Sequence, residues 1–233
     1  VSLVGSEMCI RVSVNADLRE GVAVSRLTPI VNGYRLDTSE GVIEADHVIV
    51  ATGSYHIPRR HPLAERLPAA VQQLDAGSYR NPEALPDGPV LVVGNGQSGS
   101  QIAEDLHLAG RNVHLSVGRA PRSPRRYRGK DFVDWLDRMG YYAMPISDHA
   151  DPRSVRAKTN HYLTGRDGGR EIDLRRRAME GMHLHGRLST VSGDHIGFAD
   201  DLAANLDQAD SVYCRIRTSI DSWIEQELSL IHI

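Results

Sequence analysis

Pro89-Val90-Leu91-Val92-Val93-Gly94-Asn95-Gly96-Gln97-Ser98-Gly99 is the stretch on which the fold turns. Val90 to Val93 is a short unbroken apolar run, the pattern of a parallel strand buried on both faces. Pro86-Asp87-Gly88 supplies a turn before it. The three glycines after it fall at the G-x-G-x-x-G spacing. In that spacing Gly94 serves a tight turn, Gly96 lets the backbone approach a pyrophosphate, and Gly99 lets the following helix pack closely on the strand. Glycine spacing alone would also fit an ordinary Gly-rich turn. The strand before it and the helix after it are what point to a dinucleotide site.

From Gln97 the pattern becomes helical, with Ile102, Leu106 and Ala109 on one face and Gly110 as the stop. A helix begun this way offers free N–H groups and about half a positive charge to a phosphate. Asn95, Gln97 and Ser98, lying between the glycines, are candidates for the same contact. Asn112 to Val117 then reads as the next strand, completing a βαβ unit. The expected fold is therefore α/β, a Rossmann-type NAD(P)-binding domain with a parallel sheet. About 20 residues beyond the glycine turn an NAD-binding fold places an Asp or Glu on the ribose hydroxyls. Here that position falls near Ser116 to Arg119, and no acid occurs from Leu106 to Lys130. Arg119, with Arg122 next in line, is the expected partner of a 2′-phosphate, which favours NADPH over NADH. For the basic loop from Gly118 to Lys130 a solvated surface or a nucleic-acid patch is the lesser alternative; its place after the second strand favours cofactor phosphate.

Upstream, Val22 to Leu27 alternates, Asn32-Gly33 is a hairpin signal, Tyr34 to Thr38 returns, and Glu40-Gly41 turns into Val42 to Ala45. Asp46 to Gly53 then reads as a buried strand ending in Ala51-Thr52-Gly53. Met8 to Val14 could be a further strand. A connector with prolines at 58, 62, 68, 82 and 86 follows, as at a domain crossing. Downstream, Asp131 can cap a helix carrying Phe132, Trp135, Leu136 and Met139, and Asp173 can cap another from Leu174 to Glu180. Met182 to Val191 alternates as one strand, Gly193-Asp194 turns, and His195 to Phe198 returns. Leu202, Leu206, Ala209, Tyr213, Ile216, Ile220 and Trp223 line one face of a long helix, a core-packing pattern rather than a coiled coil.

Composition bounds the function. The 233 residues are 40% hydrophobic and 24% charged with a net charge of -3, which gives no reason to invoke nucleic acid or a membrane. No apolar run approaches the roughly 20 residues of a membrane span. Cys9 and Cys214 form no C-x-x-C, which argues against a dithiol centre and for a reducing, cytoplasmic setting. Eleven histidines invite a metal site, and His183-Leu184-His185 puts two on one strand face. No Cys or carboxylate lies there at metal spacing, so a solvated face is the expectation and no metal is assigned. Gly96-Gln97-Ser98-Gly99 is not the strained G-x-S-x-G elbow of a hydrolase.

The Ala51-Thr52-Gly53 strand, the Gly94 to Gly99 turn and the Arg-rich loop together resemble the flavin-containing monooxygenase-like flavoproteins. The likeness is strongest to bacterial members associated with potassium transport or cation diffusion. Tyr79-Arg80-Asn81-Pro82, Arg125-Arg126-Tyr127-Arg128-Gly129 and Asp173-Leu174-Arg175 carry the detail. The resemblance implies FAD and NADPH as cofactors, a small-molecule substrate, flavin reduction by NADPH, and Ala51, Thr52 and Gly53 close to FAD. It also implies a first glycine motif for FAD before the meander and a second Ala-Thr-Gly-like strand after the long helix; this chain contains neither. The chain therefore reads as an internal piece: residues 1–57 as the end of an FAD domain, 58–88 as connector, and 89–227 as an NADPH domain. Leu228 to Ile233 match the translation of a transposon end used in DNA library preparation, so the natural match is expected to stop near Glu227. Such a piece is not expected to retain FAD or to be active by itself. The family pattern F-x-G-x-x-x-H-x-x-x-Y, laid back from Tyr79, meets Ala69, Val71 and Asp75 and keeps only its final Tyr. The alternatives are a flavin reductase or disulfide-reductase relative without oxygenation, and a non-catalytic NADP-binding regulatory module.

Overall fold

The computed structural model describes residues 18–53, 57–157 and 160–231. The segment Met8 to Val14 lies outside them. The chain divides into two compact units, Val1–Ser54 and Tyr55–Ile233.

In the first unit β1 (Val24–Ile30), β2 (Gly33–Thr38) and β3 (Gly41–Ala45) form an antiparallel meander. Ile30 opposes Gly33, so the hairpin loop is Val31-Asn32, with Asn32 at φ 67, a conformation asparagine tolerates. Register stacks Leu27 on Leu36 and Ile43, and Pro29 on Tyr34 and Ala45, placing the apolar residues on one face. Thr28, Arg35 and Glu44 share the other. Asp46 to Gly53 is not the expected buried strand. It has no regular structure, and Ile49 and Val50 are 90% and 71% exposed. Among the described residues no strand lies beside it, and a strand without a ladder partner has no backbone hydrogen bonds to hold it.

In the second unit β4 (Val90–Val93) leads into α1 (Gln97–Leu108) and β5 (Val113–Ser116). The Arg-rich region forms the two-residue pair β6 (Arg126–Tyr127) and β7 (Lys130–Asp131), then α2 (Phe132–Arg138). Asp131 caps α2 by accepting from the Val133 N–H at 3.1 Å. The short α3 (Pro152–Ala157) is followed by β8 (Leu163–Thr164) and β9 (Arg170–Glu171). Then comes α4 (Leu174–Met179), capped by Asp173, which accepts from the Arg176 N–H at 3.1 Å.

Met182 to Val191 does not form one strand. It divides into β10 (His183–His185) and β11 (Leu188–Ser192), and β11 forms a hairpin with β12 (His195–Phe198). Ser116 holds the break: its hydroxyl donates to the Gly186 carbonyl and accepts from the Leu188 N–H, each at 3.0 Å. Last is α5 (Leu202–Ile231).

β4, β5 and β10 form a parallel sheet in the order β10-β5-β4. This is the 3-2-1 order of one half of a Rossmann sheet, and the fold class is the α/β type expected from the glycine stretch. β5, in the middle, is the buried strand; β4 is an edge among the described strands and only half covered, with Val93 47% exposed. The core joins Ala103 and Leu106 of α1, Val113 and Leu115 of β5, and Tyr162, Ile172, Leu174, Met182 and Leu206. Ala109 lies outside it as the exposed cap of α1, with Gly110 following at φ 76. On α5, Leu206, Ala209 and Ile220 are buried, and the buried Asn205 amide donates to the Val117 carbonyl at 3.0 Å.

Candidate functional site

The site is built at the C-terminal edge of the parallel sheet, where α/β folds bind ligands. Val93, Ser116 and His185, the last residues of β4, β5 and β10, lie in register across it. Gly94 leaves β4 at φ 98, a conformation closed to most side chains, and its N–H donates to the Ser116 carbonyl at 3.0 Å. Gly96 is the N-cap of α1 and offers no side-chain cap, leaving the first N–H groups of the helix to other partners. Gly99 packs against the turn so closely that a Cβ there would lie 1.9 Å from the Gly94 carbonyl oxygen. The glycine spacing thus produces the close helix-to-turn approach expected of it.

The residues between the glycines have divided tasks. Asn95 is buried and accepts from the Gly118 N–H through Oδ1 at 2.7 Å, joining the turn to the end of β5. Its Nδ2 is buried without a hydrogen-bond partner. Gln97 directs its side chain inward: Nε2 donates to the Leu163 carbonyl at 2.9 Å and Oε1 accepts from the Leu163 N–H at 3.0 Å. Only its backbone is left for a ligand. Ser98 is exposed on the first turn of α1.

The two arginines singled out after β5 differ. Arg119 is exposed and its guanidinium has no hydrogen-bond or ion-pair partner among the described residues. Arg122 is held instead by Asp210 at 2.9 Å, Asp173 at 3.3 Å and Glu171 at 3.7 Å, and stacks over the Tyr213 ring at 4.3 Å. Burial opposes its charge, but the three carboxylates outweigh that and raise its pKa. Other cations of the loop are likewise engaged: Arg125 with Asp131 at 2.8 Å, Arg126 with the Gly168 carbonyl at 3.0 Å, and Arg128 with Asp221 at 2.6 Å. The loop's charge is thus largely spent within the fold, and Arg119 is the arginine in it without such a partner among the described residues. Ala51, Thr52 and Gly53 belong to the other unit, where they are exposed, with Gly53 at φ 76.

Two residues of the site carried no local signal. A cleft of about 420 Å³ opens beside the glycine turn, lined by Val93, Gly94, Ser116, Gly118, Arg187 and Ser189, with His61 reaching it from the connector. The His61 Nδ1 accepts from the Leu63 N–H at 3.2 Å, which leaves Nε2 to carry the proton of the neutral ring. The connector is pinned beside it by Arg60, whose guanidinium reaches Asp75 at 3.0 Å, and further along by Tyr79, whose hydroxyl donates to Asp105 at 2.6 Å. Burial, then Asp105, pushes the Tyr79 pKa up.

Among the described residues no group of three metal-ligating side chains converges, and no helix is long and apolar enough to cross a membrane. His183 and His185 do not simply face solvent. They stack with His114 of β5 at ring distances of 4.5 and 5.2 Å, and Phe198 covers His185 at 4.3 Å.

Comparison with known proteins agrees with this architecture. The chain is 33% identical over 170 residues to a CzcO-like uncharacterized oxidoreductase of Geobacillus kaustophilus, covering 72% of this chain and 46% of the relative. It is 37% identical over 72 residues to a plant flavin-containing monooxygenase, GS-OX-like 9 of Arabidopsis thaliana, covering 31% of this chain and 16% of that protein. A solved flavin monooxygenase from Stenotrophomonas maltophilia, a double mutant, superposes with a TM-score of 0.51 at 17% identity, covering 82% of this chain and 49% of its own. The chain thus spans less than half the length of these relatives. Residues 10–178 match the family model described as pyridine nucleotide-disulphide oxidoreductase. The chain belongs to the pyridine nucleotide-disulphide oxidoreductase family.

Proposed function

We propose that this chain carries the NADPH-binding half of an FAD- and NADPH-dependent oxidoreductase of the flavin monooxygenase type, in which NADPH reduces the flavin of a small-molecule-oxidising enzyme. The observation that supports it is the glycine turn at the end of β4, with Gly94 at φ 98 and Gly99 against the turn, together with the unpaired Arg119 past β5. The turn and the start of α1 would hold the pyrophosphate through Gly96, Gln97 and Ser98 backbone N–H groups, while Asn95 keeps the turn against Gly118. Arg119 would hold the 2′-phosphate, a contact that a carboxylate there would oppose.

When bound, NADPH would supply hydride for the flavin; the part of this chain's own residues would be to bind and orient the nucleotide. Residues 1–57 are proposed as the end of the FAD domain, with Ala51 to Gly53 near the flavin only when the rest of that domain is present. A cytoplasmic setting accords with this chemistry. Flavin reduction without oxygenation is the second reading. It is favoured by the replacement of the family pattern by Ala69, Val71 and Asp75, with the Asp75 carboxylate committed to Arg60.

Titrating NADPH and NADH against the wild type and Arg119→Ala tests the nucleotide reading. A lost charge-assisted bond is worth about 1.5–3 kcal/mol, or about ten- to 150-fold in affinity. NADPH binding should weaken by that order and NADH binding should hold. Equal losses would assign Arg119 to the pyrophosphate or the fold.

A further inference from the structure

Arg187 follows Gly186 at the break between β10 and β11 and lines the cleft beside the glycine turn. The break is built with care. A Cβ on Gly186 would lie 1.9 Å from the Ala199 carbonyl oxygen and 2.6 Å from the Asp201 carboxylate, so only glycine lets these segments meet. Asp201 then grips Arg187 twice, accepting from its backbone N–H at 2.9 Å and from Nε at 2.6 Å. The Arg187 carbonyl accepts from the Ala199 N–H at 2.8 Å. The result is a side chain 57% exposed, fixed at its base, whose two terminal nitrogens have no partner among the described residues. An ion pair so exposed stabilises a fold by about 0–1 kcal/mol, which does not account for the arrangement. An arginine held through Nε and left free at its fork is arranged to receive an anion at two points.

Sheet order indicates which anion. Arg119 leaves the C-terminal end of β5 and Arg187 leaves that of β10, its direct neighbour about 4.8 Å away, whereas the glycine turn lies on β4, on the opposite side of β5. Arg187 is therefore on the adenosine side of the turn rather than at the pyrophosphate. We propose that Arg187, positioned by Asp201, is a second ligand of the nucleotide's 2′-phosphate and shares with Arg119 the discrimination between NADPH and NADH. This rests on the dinucleotide reading above.

The test is calorimetric titration of this chain with NADP⁺, NAD⁺, 2′,5′-ADP and 5′-AMP, none of which requires turnover. Arg187→Gln should weaken NADP⁺ and 2′,5′-ADP by about ten- to 150-fold, the worth of a charge-assisted bond, and leave NAD⁺ and 5′-AMP unchanged. Arg187→Lys should recover part of the loss, since charge remains without the fork. Asp201→Asn should give an intermediate loss confined to the 2′-phosphorylated ligands. Combining Arg187→Gln with Arg119→Gln should give a non-additive effect, because both act on one phosphate. Wild-type binding of NADP⁺ with Arg187→Gln indistinguishable from it, or with NAD⁺ and NADP⁺ weakened alike, overturns the role of Arg187 and leaves the dinucleotide reading standing. A folded wild type that binds none of the four ligands overturns both. Melting curves for every variant separate lost binding from lost structure, and Arg187→Lys decides the matter if Arg187→Gln does not fold.

Discussion

The side-chain amide of Gln97 and the backbone of Leu163 exchange two hydrogen bonds, one in each direction, at 2.9 and 3.0 Å. This is the pattern by which one strand residue binds another, made here by a glutamine from the first turn of a helix. Gln101, one turn on, adds a third bond to the same carbonyl at 2.8 Å. Together they fix β8 against the helix that carries the glycine turn. Gln97→Ala strands the Leu163 N–H, while Gln101 still serves its carbonyl. The expected cost is about 1–3 kcal/mol, the penalty of one orphaned buried group. Urea unfolding of the variant measures it, with nucleotide titration alongside. Unchanged stability together with lost nucleotide binding would show that the amide serves the ligand instead.

Gly99 and Gly110 are separated by the length of α1 and respond to substitution for opposite reasons. A methyl at Gly99 meets the Gly94 carbonyl oxygen at 1.9 Å and its carbon at 3.0 Å, both backbone atoms that cannot rotate away. Gly99→Ala should push α1 off the turn, costing about 1–3 kcal/mol or more and abolishing nucleotide binding. Gly110 sits at φ 76 with nothing within 4 Å of an added Cβ, so Gly110→Asn, which tolerates that conformation, should unfold nearly as the wild type does. Equal behaviour of the two variants in denaturant would contradict the packing role of Gly99.

The glycine turn was legible because its chemistry is local: strand, spacing and helix follow one another without interruption from Val90 to Leu108. Distant partners were not. Gln97 meets Leu163 across 66 positions and Arg122 meets Asp210 across 88, so a motif glutamine and the second arginine of the loop pointed to cofactor while the fold uses their side chains internally. Arg187 was hidden inside an alternating run that resembled one strand, until Gly186 and Ser116 broke it in two. The meander was readable from alternation and turn residues, yet the run from Asp46 to Gly53 shows what an apolar pattern leaves out. It describes a face that can be buried, and only a neighbouring strand makes it a strand.

Glu104 carries a charge in the interior, 1% exposed, against Arg177 at 2.7 Å and Arg170 at 3.0 Å. Its second oxygen has no hydrogen-bond partner. Removing Arg177, itself 9% exposed, leaves that carboxylate with a single, more exposed cation. Arg177→Met should destabilise by about 3–5 kcal/mol, the cost of breaking a buried pair from one side. Adding Glu104→Leu should restore much of the loss, because the uncompensated charge goes with it. Strictly additive losses in a denaturation double-mutant cycle would show that the two residues contribute through packing alone.

His114 and His185, on adjacent strands and 71 positions apart, meet through Nδ1 and Nε2 at 2.9 Å. One ring must be neutral at its facing nitrogen for this to be a hydrogen bond, since two protonated rings would set N–H against N–H. Burial lowers the pKa of His114, with His183 adding to it, and burial lowers that of His185, with His114 and His183 adding. The sign follows from proton counts. With the folded pKa below the unfolded value of about 6.5, the unfolded chain binds more protons in the window just below that value. Stability there rises with pH: it is full above about pH 6.5 and declines as the pH falls toward the folded-state values. The slope is at most about 1.4 kcal/mol per pH unit for each histidine. Urea midpoints measured from pH 7.5 down to 5.0 should therefore fall, and His114→Gln should flatten that fall by removing one titrating ring and the repulsion on the other. A variant as steep as the wild type would mean that the pair does not set the acid sensitivity of the sheet.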